Sequence, residues 1–164
     1  MSKNYIAYGS NLNVEDMKMR CPDAKPIGRG VLENHELTFR GKNKLAVASV
    51  QPLAASPFND RQKYVPVVIW EISDRDEDKL DYYEDYPKLY IKQYLYVKID
   101  TGEEVRAMAY IINEHYVKKH VKGFGVYGKP NEAYLSKIRK GYEYWGFDLR
   151  ILNNAIEQNN PGRF

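Results

Sequence analysis

The hydrophobic and polar positions at the start of the chain predict a strand, a tight turn and a short helix in succession. Tyr5 to Tyr8 is an apolar run typical of a short buried strand, and Gly9-Ser10-Asn11 is a run of turn-forming residues. Asn13 is placed to cap a helix that Pro22 ends. We therefore expect a strand, turn and helix unit at the amino terminus.

Further strands are predicted where β-branched and aromatic residues cluster between turn signals. These strands are Gly30 to Phe39, Leu45 to Val50, Tyr64 to Ile72, Tyr90 to Ile99 and Glu104 to Ile112. The last two flank Asp100-Thr101-Gly102, and we expect them to form a hairpin. The segment from Leu53 to Gln62 contains two prolines and is expected to be a loop.

Three more helices are predicted from capping signals. Ser73 and Asp76 resemble a capping box and predict a helix from about Asp74 to Tyr86. A second helix is predicted after Asn131, where apolar residues recur at helical spacing, and a third after Asp148. Strands that cluster, with few helices between them, argue against a regular alternation of strands and helices, so we expect a mixed α+β fold.

Composition limits the class of protein. The chain has 164 residues, of which 43% are hydrophobic and 29% are charged, as in one globular domain spanning residues 1–164. No apolar run approaches the ~20 residues of a spanning helix, and the residues before Tyr5 leave no room for a signal peptide. We therefore expect a cytoplasmic protein without a membrane partner. A single cysteine, Cys21, excludes an internal disulfide.

The net charge of +3 raises the question of a nucleic-acid partner. The basic residues are spread along the chain, and their densest cluster, Lys118 to Lys122, is short. Such a cluster without a known binding motif is typical of a solvated loop. We therefore expect no nucleic-acid partner.

The first candidate for chemistry is Glu84, which shares a helical face with Leu80 and Tyr83. Its acidic neighbours on the same helix are Glu77, Asp78, Asp81 and Asp85. A carboxylate pushed toward the core beside other carboxylates has a raised pKa, by loss of water and by repulsion, and can transfer protons near neutral pH. The pattern equally allows Glu84 to be solvated like its neighbours, so both interpretations stay open.

The second candidate is the turn Gly9-Ser10-Asn11, whose successive backbone N–H groups could converge on an anion or a developing oxyanion. An ordinary tight turn is the more common meaning of these residues. The histidines His35, His115 and His120 show no metal-binding spacing, so we expect no metal site.

Several segments occur in a characteristic order along the chain. They are Tyr5 to Leu12, Met17 to Pro22, Pro66 to Trp70, Leu80 to Pro87 with Tyr90, and Pro130 with Tyr134-Leu135 and Ile138. Together they resemble the gamma-glutamylcyclotransferase family, in its compact bacterial and plant branch, over nearly the whole chain. That family usually has glycine at the position of Asp85.

The resemblance implies a small mixed β-barrel flanked by helices and an enzyme that needs no cofactor. The implied reaction cyclises a gamma-glutamyl amino acid or amine to 5-oxoproline, with Glu84 as the catalytic proton-transfer residue. The residues implied in substrate binding are Tyr8, Gly9, Ser10, Asn11, Leu12, Tyr90 and Tyr134. The alternative is a non-catalytic module on the same fold that binds a metabolite or a protein. The leaving group and the oligomeric state stay open.

Overall fold

The computed structural model describes residues 1–42, 44–53, 63–125 and 128–158, and within these ranges it contains seven strands and five α-helices. In chain order they are β1 (Ser2–Ala7), α1 (Val14–Arg20), β2 (Lys25–Glu33), β3 (His35–Arg40), β4 (Val47–Pro52), β5 (Tyr64–Ser73), α2 (Asp74–Tyr83), β6 (Tyr90–Ile99), β7 (Glu104–Ile112), α3 (Glu114–His120), α4 (Glu132–Trp145) and α5 (Leu149–Gln158). A 3₁₀ turn at Ser10–Leu12 joins β1 to α1. Residues 54–62, most of the predicted loop after Leu53, lie outside the described residues.

Five strands close into a barrel in the order β1, β5, β2, β6 and β7. Neighbouring strands are antiparallel, except that β7 and β1 are parallel where Tyr5 lies beside Met108. Strands β3 and β4 form a separate antiparallel pair. This mixed barrel flanked by helices is the predicted α+β architecture.

Strand β5 lies at the centre of the core. It is buried at six consecutive positions from Val65 to Trp70, and it pairs with β1 on one side and β2 on the other. A continuous apolar run of this kind indicates a strand that is covered on both faces. Ile6, Ile69 and Met108 are fully buried in the same core.

The capping signals place the helices as predicted. The Asp76 N–H donates to Ser73 Oγ at 3.2 Å and the Ser73 N–H donates to Asp76 Oδ2 at 3.3 Å, which completes a capping box before α2. Asn13 accepts a hydrogen bond from the N–H of Asp16 at 3.1 Å, and Asn131 accepts one from the N–H of Tyr134 at 2.8 Å. These caps fix where α1, α2 and α4 begin.

The structure corrects one predicted strand and the end of one predicted helix. The single strand predicted from Gly30 to Phe39 is divided, because Asn34 has a left-handed backbone with φ of 58° and sends β2 and β3 into different sheets. Helix α2 ends at Tyr83 and not at Tyr86. Asp85, with φ of 51°, turns the chain away from the helix axis.

Helix α3 was not predicted, and it replaces part of the loop expected at Lys118 to Lys122. Asn113 begins the helix by accepting a hydrogen bond from the N–H of Tyr116 at 3.2 Å. Lys118 and Lys119 lie in its last turn, where positive charge is favoured by the helix dipole. Within the described ranges, no helix is both long and apolar enough to cross a membrane.

Candidate active site

A cavity of about 250 Å³ lies between the barrel, the β3–β4 pair, the end of α2 and the start of α4. Its wall consists of Tyr5, Tyr8, Gly9, Ser10, Asn11, Val47, Ala48, Tyr83, Glu84, Leu89, Tyr90, Tyr110 and Tyr134. Six of these thirteen residues are tyrosines, and no lysine or arginine of the described chain is among them. An anionic substrate group would therefore have to be bound by uncharged donors.

Seven of the eight residues predicted for the site share this cavity. They are Tyr8, Gly9, Ser10, Asn11, Glu84, Tyr90 and Tyr134. Leu12 does not line it and is completely buried. The Leu12 carbonyl accepts a hydrogen bond from Trp145 Nε1 at 3.0 Å, and its side chain packs against Gly141, where an added Cβ would lie 2.6 Å from Leu12 Cβ. The structure thus makes Leu12 an anchor of the loop and not a substrate contact.

The loop that follows β1 has one backbone N–H group that is bonded within the loop and two that have no partner among the described residues. The Leu12 N–H donates to the Gly9 carbonyl at 3.0 Å, whereas the N–H groups of Ser10 and Asn11 make no hydrogen bond with another described residue. A Cβ at Gly9 would lie 3.1 Å from Ala48 Cβ, so glycine permits the close approach of the loop to β4. Successive unpaired N–H donors of this kind suit a carboxylate or an oxyanion.

Glu84 directly follows α2, and its side chain faces the loop after β1. Its N–H donates to the Leu80 carbonyl at 2.8 Å, which keeps the residue attached to the last helical turn. Its carboxylate accepts a hydrogen bond from Asn11 Nδ2, with 3.4 Å between Nδ2 and Oε1. The predicted catalytic residue and the predicted loop are therefore in direct contact.

Burial raises the pKa of the Glu84 carboxyl from 4.5 to about 7, and the positive charge of Arg20 acts in the opposite direction. The repulsion predicted from acidic neighbours on the helix makes no contribution. Two of those neighbours, Glu77 and Asp81, accept hydrogen bonds from Lys92 Nζ at 2.7 and 2.9 Å, which offsets their charge. The shift predicted from the sequence is present, and loss of water is its main cause.

Tyrosine hydroxyls hold the rest of the wall in place. Tyr90 donates to the Ala48 carbonyl at 2.7 Å, and the Ala48 N–H donates to Tyr134 Oη at 2.9 Å. Tyr8 donates to the Tyr110 carbonyl at 2.7 Å. Burial raises the pKa of these three hydroxyls, and of the Tyr110 hydroxyl, above the ordinary value of 10, so all four are neutral at pH 7. Glu84 is therefore the group of the wall that can exchange a proton near neutrality.

The sequence analysis missed six residues of the wall, and three of them are tyrosines: Tyr5, Tyr83 and Tyr110. The Tyr5 hydroxyl accepts a hydrogen bond from Asn11 Nδ2 at 2.9 Å, and the Tyr83 hydroxyl shares one with Ser10 Oγ at 3.0 Å. Alternation along β1 and β7 could have placed Tyr5 and Tyr110 on an inner face. It could not have shown which end of the barrel holds the cavity.

The described residues contain no group of three histidine, cysteine, aspartate or glutamate side chains that could hold a metal ion. The donors and acceptors of the cavity are one carboxyl, several hydroxyls, one amide and the backbone. This arrangement can bind a small anion through its N–H groups and can transfer a proton through its carboxyl group.

Solved structures share this fold. The chain is similar to a protein described as gamma-glutamyl cyclotransferase, with a TM-score of 0.75 and 20% identity over 100% of this chain and 91% of the other. It is also similar to an uncharacterized protein from Homo sapiens, with a TM-score of 0.73 and 21% identity over 99% of this chain and 90% of the other. A yeast gamma-glutamyl cyclotransferase specific to glutathione has a TM-score of 0.60 and 11% identity, with 98% and 97% of the two chains covered.

The sequence comparisons carry the assignment further than the fold does. No curated protein matches the chain significantly in sequence. The sequence model of the family described as "Gamma-glutamyl cyclotransferase, AIG2-like" matches residues 5–129, which is well over half of the chain. That match includes the whole loop after β1, Glu84 and every wall residue except Tyr134. The chain therefore belongs to the gamma-glutamyl cyclotransferase, AIG2-like family.

Proposed function

We propose that this chain is a gamma-glutamylcyclotransferase, which converts a gamma-glutamyl amino acid or a gamma-glutamyl amine to 5-oxoproline and releases the amine. The observation that carries the proposal is a carboxyl group, Glu84, with a pKa of about 7 in a cavity that also offers the unpaired N–H groups of Ser10 and Asn11. A carboxyl with this pKa is present in both protonated and ionised forms near neutral pH, as a group that takes and returns a proton must be.

The wall suits the glutamyl part of such a substrate. The N–H groups of Ser10 and Asn11 would bind the substrate α-carboxylate or the oxyanion that forms during the reaction. The tyrosine hydroxyls give neutral, rigid surroundings in which a flexible side chain can be folded back on its own amine. Because the amine and the carbonyl belong to one molecule, holding them together supplies much of the rate.

The proposed reaction needs only proton transfer by Glu84 and binding of the oxyanion. Ionised Glu84 takes a proton from the substrate α-ammonium, and the freed amine attacks the γ-carbonyl carbon to form the new C–N bond and a tetrahedral oxyanion. The oxyanion collapses, the bond to the leaving nitrogen breaks, and protonated Glu84 returns its proton to that nitrogen. The ring nitrogen still carries one proton more than the lactam, and ionised Glu84 takes this proton and passes it to the released amine. The products are 5-oxoproline and the amine as its ammonium ion, and Glu84 ends in the ionised form in which it began.

The second candidate is a binding module that holds a glutamyl-like ligand without changing it. The position of Glu84 speaks against it, because an ionisable carboxyl in the cavity repels the anionic ligand whenever it is charged, and a module that only binds gains nothing from that. The two candidates differ in one observable, the release of 5-oxoproline.

The test is 5-oxoproline release from a panel of gamma-glutamyl amino acids and gamma-glutamyl amines. The variant Glu84→Gln keeps the shape of the side chain but cannot transfer the proton, and we expect it to lose about a hundredfold or more of kcat. The matched control is Asp85→Asn, which removes the exposed neighbouring carboxylate and keeps a residue type that tolerates the left-handed backbone at φ of 51°. We expect Asp85→Asn to retain wild-type turnover.

The possible outcomes separate the candidates. Turnover by the wild type together with its loss in Glu84→Gln supports the enzyme, and the best member of the panel identifies the leaving group. Binding of a panel member by the wild type in titration calorimetry, without release of 5-oxoproline, would support the binding module. Turnover that survives in Glu84→Gln would refute the role of this residue.

A further inference from the structure

Arg20, the last residue of α1, has an unusual set of partners. Its guanidinium lies over the ring of Tyr83, with Cζ 3.4 Å from the ring centroid, and its Nη1 donates to Asn11 Oδ1. No carboxylate within the described ranges forms an ion pair with it. A partly buried arginine that stacks on an aromatic ring and binds an amide oxygen is held in one orientation.

The contact with Arg20 decides which end of the Asn11 amide faces the catalytic carboxyl. A guanidinium has only donors, so the group that faces it must be the amide oxygen. The nitrogen is then directed to the other side, where Nδ2 donates to the Tyr5 hydroxyl at 2.9 Å and to Glu84 Oε1 at 3.4 Å. The reverse orientation would place the amide oxygen against the carboxylate, where both groups are acceptors.

We propose that Arg20 is a positioning residue, which fixes the Asn11 amide so that its nitrogen holds and orients the carboxyl group of Glu84. Arg20 does not line the cavity and acts through Asn11, so it is not itself a contact of the substrate. The effect of Arg20 on catalysis rests on the proposed function, whereas its effect on the carboxyl group does not.

Arg20 also supplies the charge that acts on this carboxyl. The titratable or charged groups that face Glu84 are Tyr5 of β1, Tyr8 of the loop, Arg20 of α1, Tyr83 of α2, Tyr90 of β6, Tyr110 of β7 and Tyr134 of α4. Burial raises the pKa values of Tyr5, Tyr8, Tyr90, Tyr110 and Tyr134 and keeps these five tyrosines neutral. The Arg20 charge lowers the pKa of Glu84, so its removal moves that pKa, and the acidic limb of the activity profile, to higher pH.

The first experiment compares the pH dependence of kcat in Arg20→Met, Arg20→Lys and wild type. We expect Arg20→Met to lower the plateau of kcat by roughly ten- to a hundredfold, the size of a small misplacement of a reacting group, and to move the acidic limb up by about one pH unit. Arg20→Lys keeps the charge without the planar fork, so its limb stays in place while its plateau falls. The matched control is Lys18→Met, which removes an exposed charge from the same helix and leaves both quantities unchanged.

A double-mutant cycle with Asn11→Ala separates positioning from charge. If Arg20 positions Glu84 through Asn11, Arg20→Met lowers the plateau of kcat in the wild-type background and has no such effect in the Asn11→Ala background. The shift of the acidic limb remains in both backgrounds, because it depends on the charge alone. A plateau loss of equal size in the two backgrounds would overturn the proposal.

A pH titration without substrate tests the role of Arg20 independently of turnover. Failure of the wild type to release 5-oxoproline would remove the proposed function but would leave this test in place. The ¹³C signal of the Glu84 carboxyl, assigned by its absence in Glu84→Gln, is followed against pH together with the Asn11 side-chain NH₂ signals. In the wild type we expect the NH₂ signals to follow the Glu84 titration; in Arg20→Met they stop following it and the midpoint rises by about one pH unit. Unchanged signals and midpoint would overturn the proposal. If Arg20→Met does not fold, Arg20→Lys gives the same test through the NH₂ signals.

Discussion

Replacing Glu84 by glutamine removes the ionisable group and keeps the shape of the side chain, so its effect on stability isolates the cost of the buried charge. The pKa of Glu84 is about 7 in the folded protein, against 4.5 for an exposed glutamate. This difference corresponds to about 3 kcal/mol of folding free energy. Because the folded-state pKa is raised, the stabilising contribution is complete below pH 4.5 and is lost as the pH rises through 7.

Urea unfolding at pH 5 and pH 8 measures this loss. Most of the change falls between these two values, so we expect the free energy of unfolding of the wild type, relative to Glu84→Gln, to fall by about 2–3 kcal/mol from pH 5 to pH 8. Other carboxyl groups titrate in both proteins and cancel in the comparison. Asp85→Asn removes an exposed carboxylate one residue away, and its difference from wild type should be the same at both pH values.

A difference between wild type and Glu84→Gln that is equal at pH 5 and pH 8 would refute the reasoning. It would mean that the carboxyl reaches water in the folded protein and ionises at its ordinary pH. The proton-transfer role proposed for Glu84 would then lose its physical basis, whatever the turnover measurements show.

Two further substitutions test the frame around the cavity. Gly141→Ala places a Cβ 2.6 Å from Leu12 Cβ, and such overpacking costs about 1–3 kcal/mol of folding free energy, against the ~1 kcal/mol that alanine gains over glycine in a helix. We therefore expect a lower thermal midpoint of unfolding and a lower kcat/KM. A more stable, fully active variant would contradict this packing. Tyr134→Phe leaves the Ala48 N–H without its acceptor, so we expect the free energy of unfolding, measured in urea, to fall by about 1 kcal/mol and KM to rise. The exposed control Tyr144→Phe should change neither quantity.

Local signals in the sequence were sufficient for most of the fold. The capping box at Ser73 and the caps at Asn13 and Asn131 begin helices where predicted, because a side chain that satisfies orphan N–H groups is a short-range device. Strand closure is different. The pairing of β1 with β5 and with β7 joins residues far apart in the chain, and no local pattern specifies it. The barrel was expected from the resemblance alone.

The same division between local and distant effects applies to the site. Glu84 and the loop after β1 could be proposed from the sequence, since each is a local pattern with a chemical meaning. Leu12 was assigned to the substrate because it belongs to the same motif, yet its burial against Gly141 depends on how α4 packs. Arg20 and Tyr83 likewise become part of the site only when α1 and α2 come together.

The backbone conformation of Asp85 affects the surroundings of the Glu84 carboxyl group. Asp85 has a φ of 51°, a left-handed conformation that glycine adopts freely and that aspartate tolerates better than most other residues. The turn at Asp85 ends α2 immediately after Tyr83, which leaves Glu84 at the negative end of the helix dipole, with no basic residue in the last turn. The dipole opposes ionisation in the same direction as burial. The backbone conformation of one residue thus helps to place its neighbour where a carboxyl group holds a proton near neutral pH.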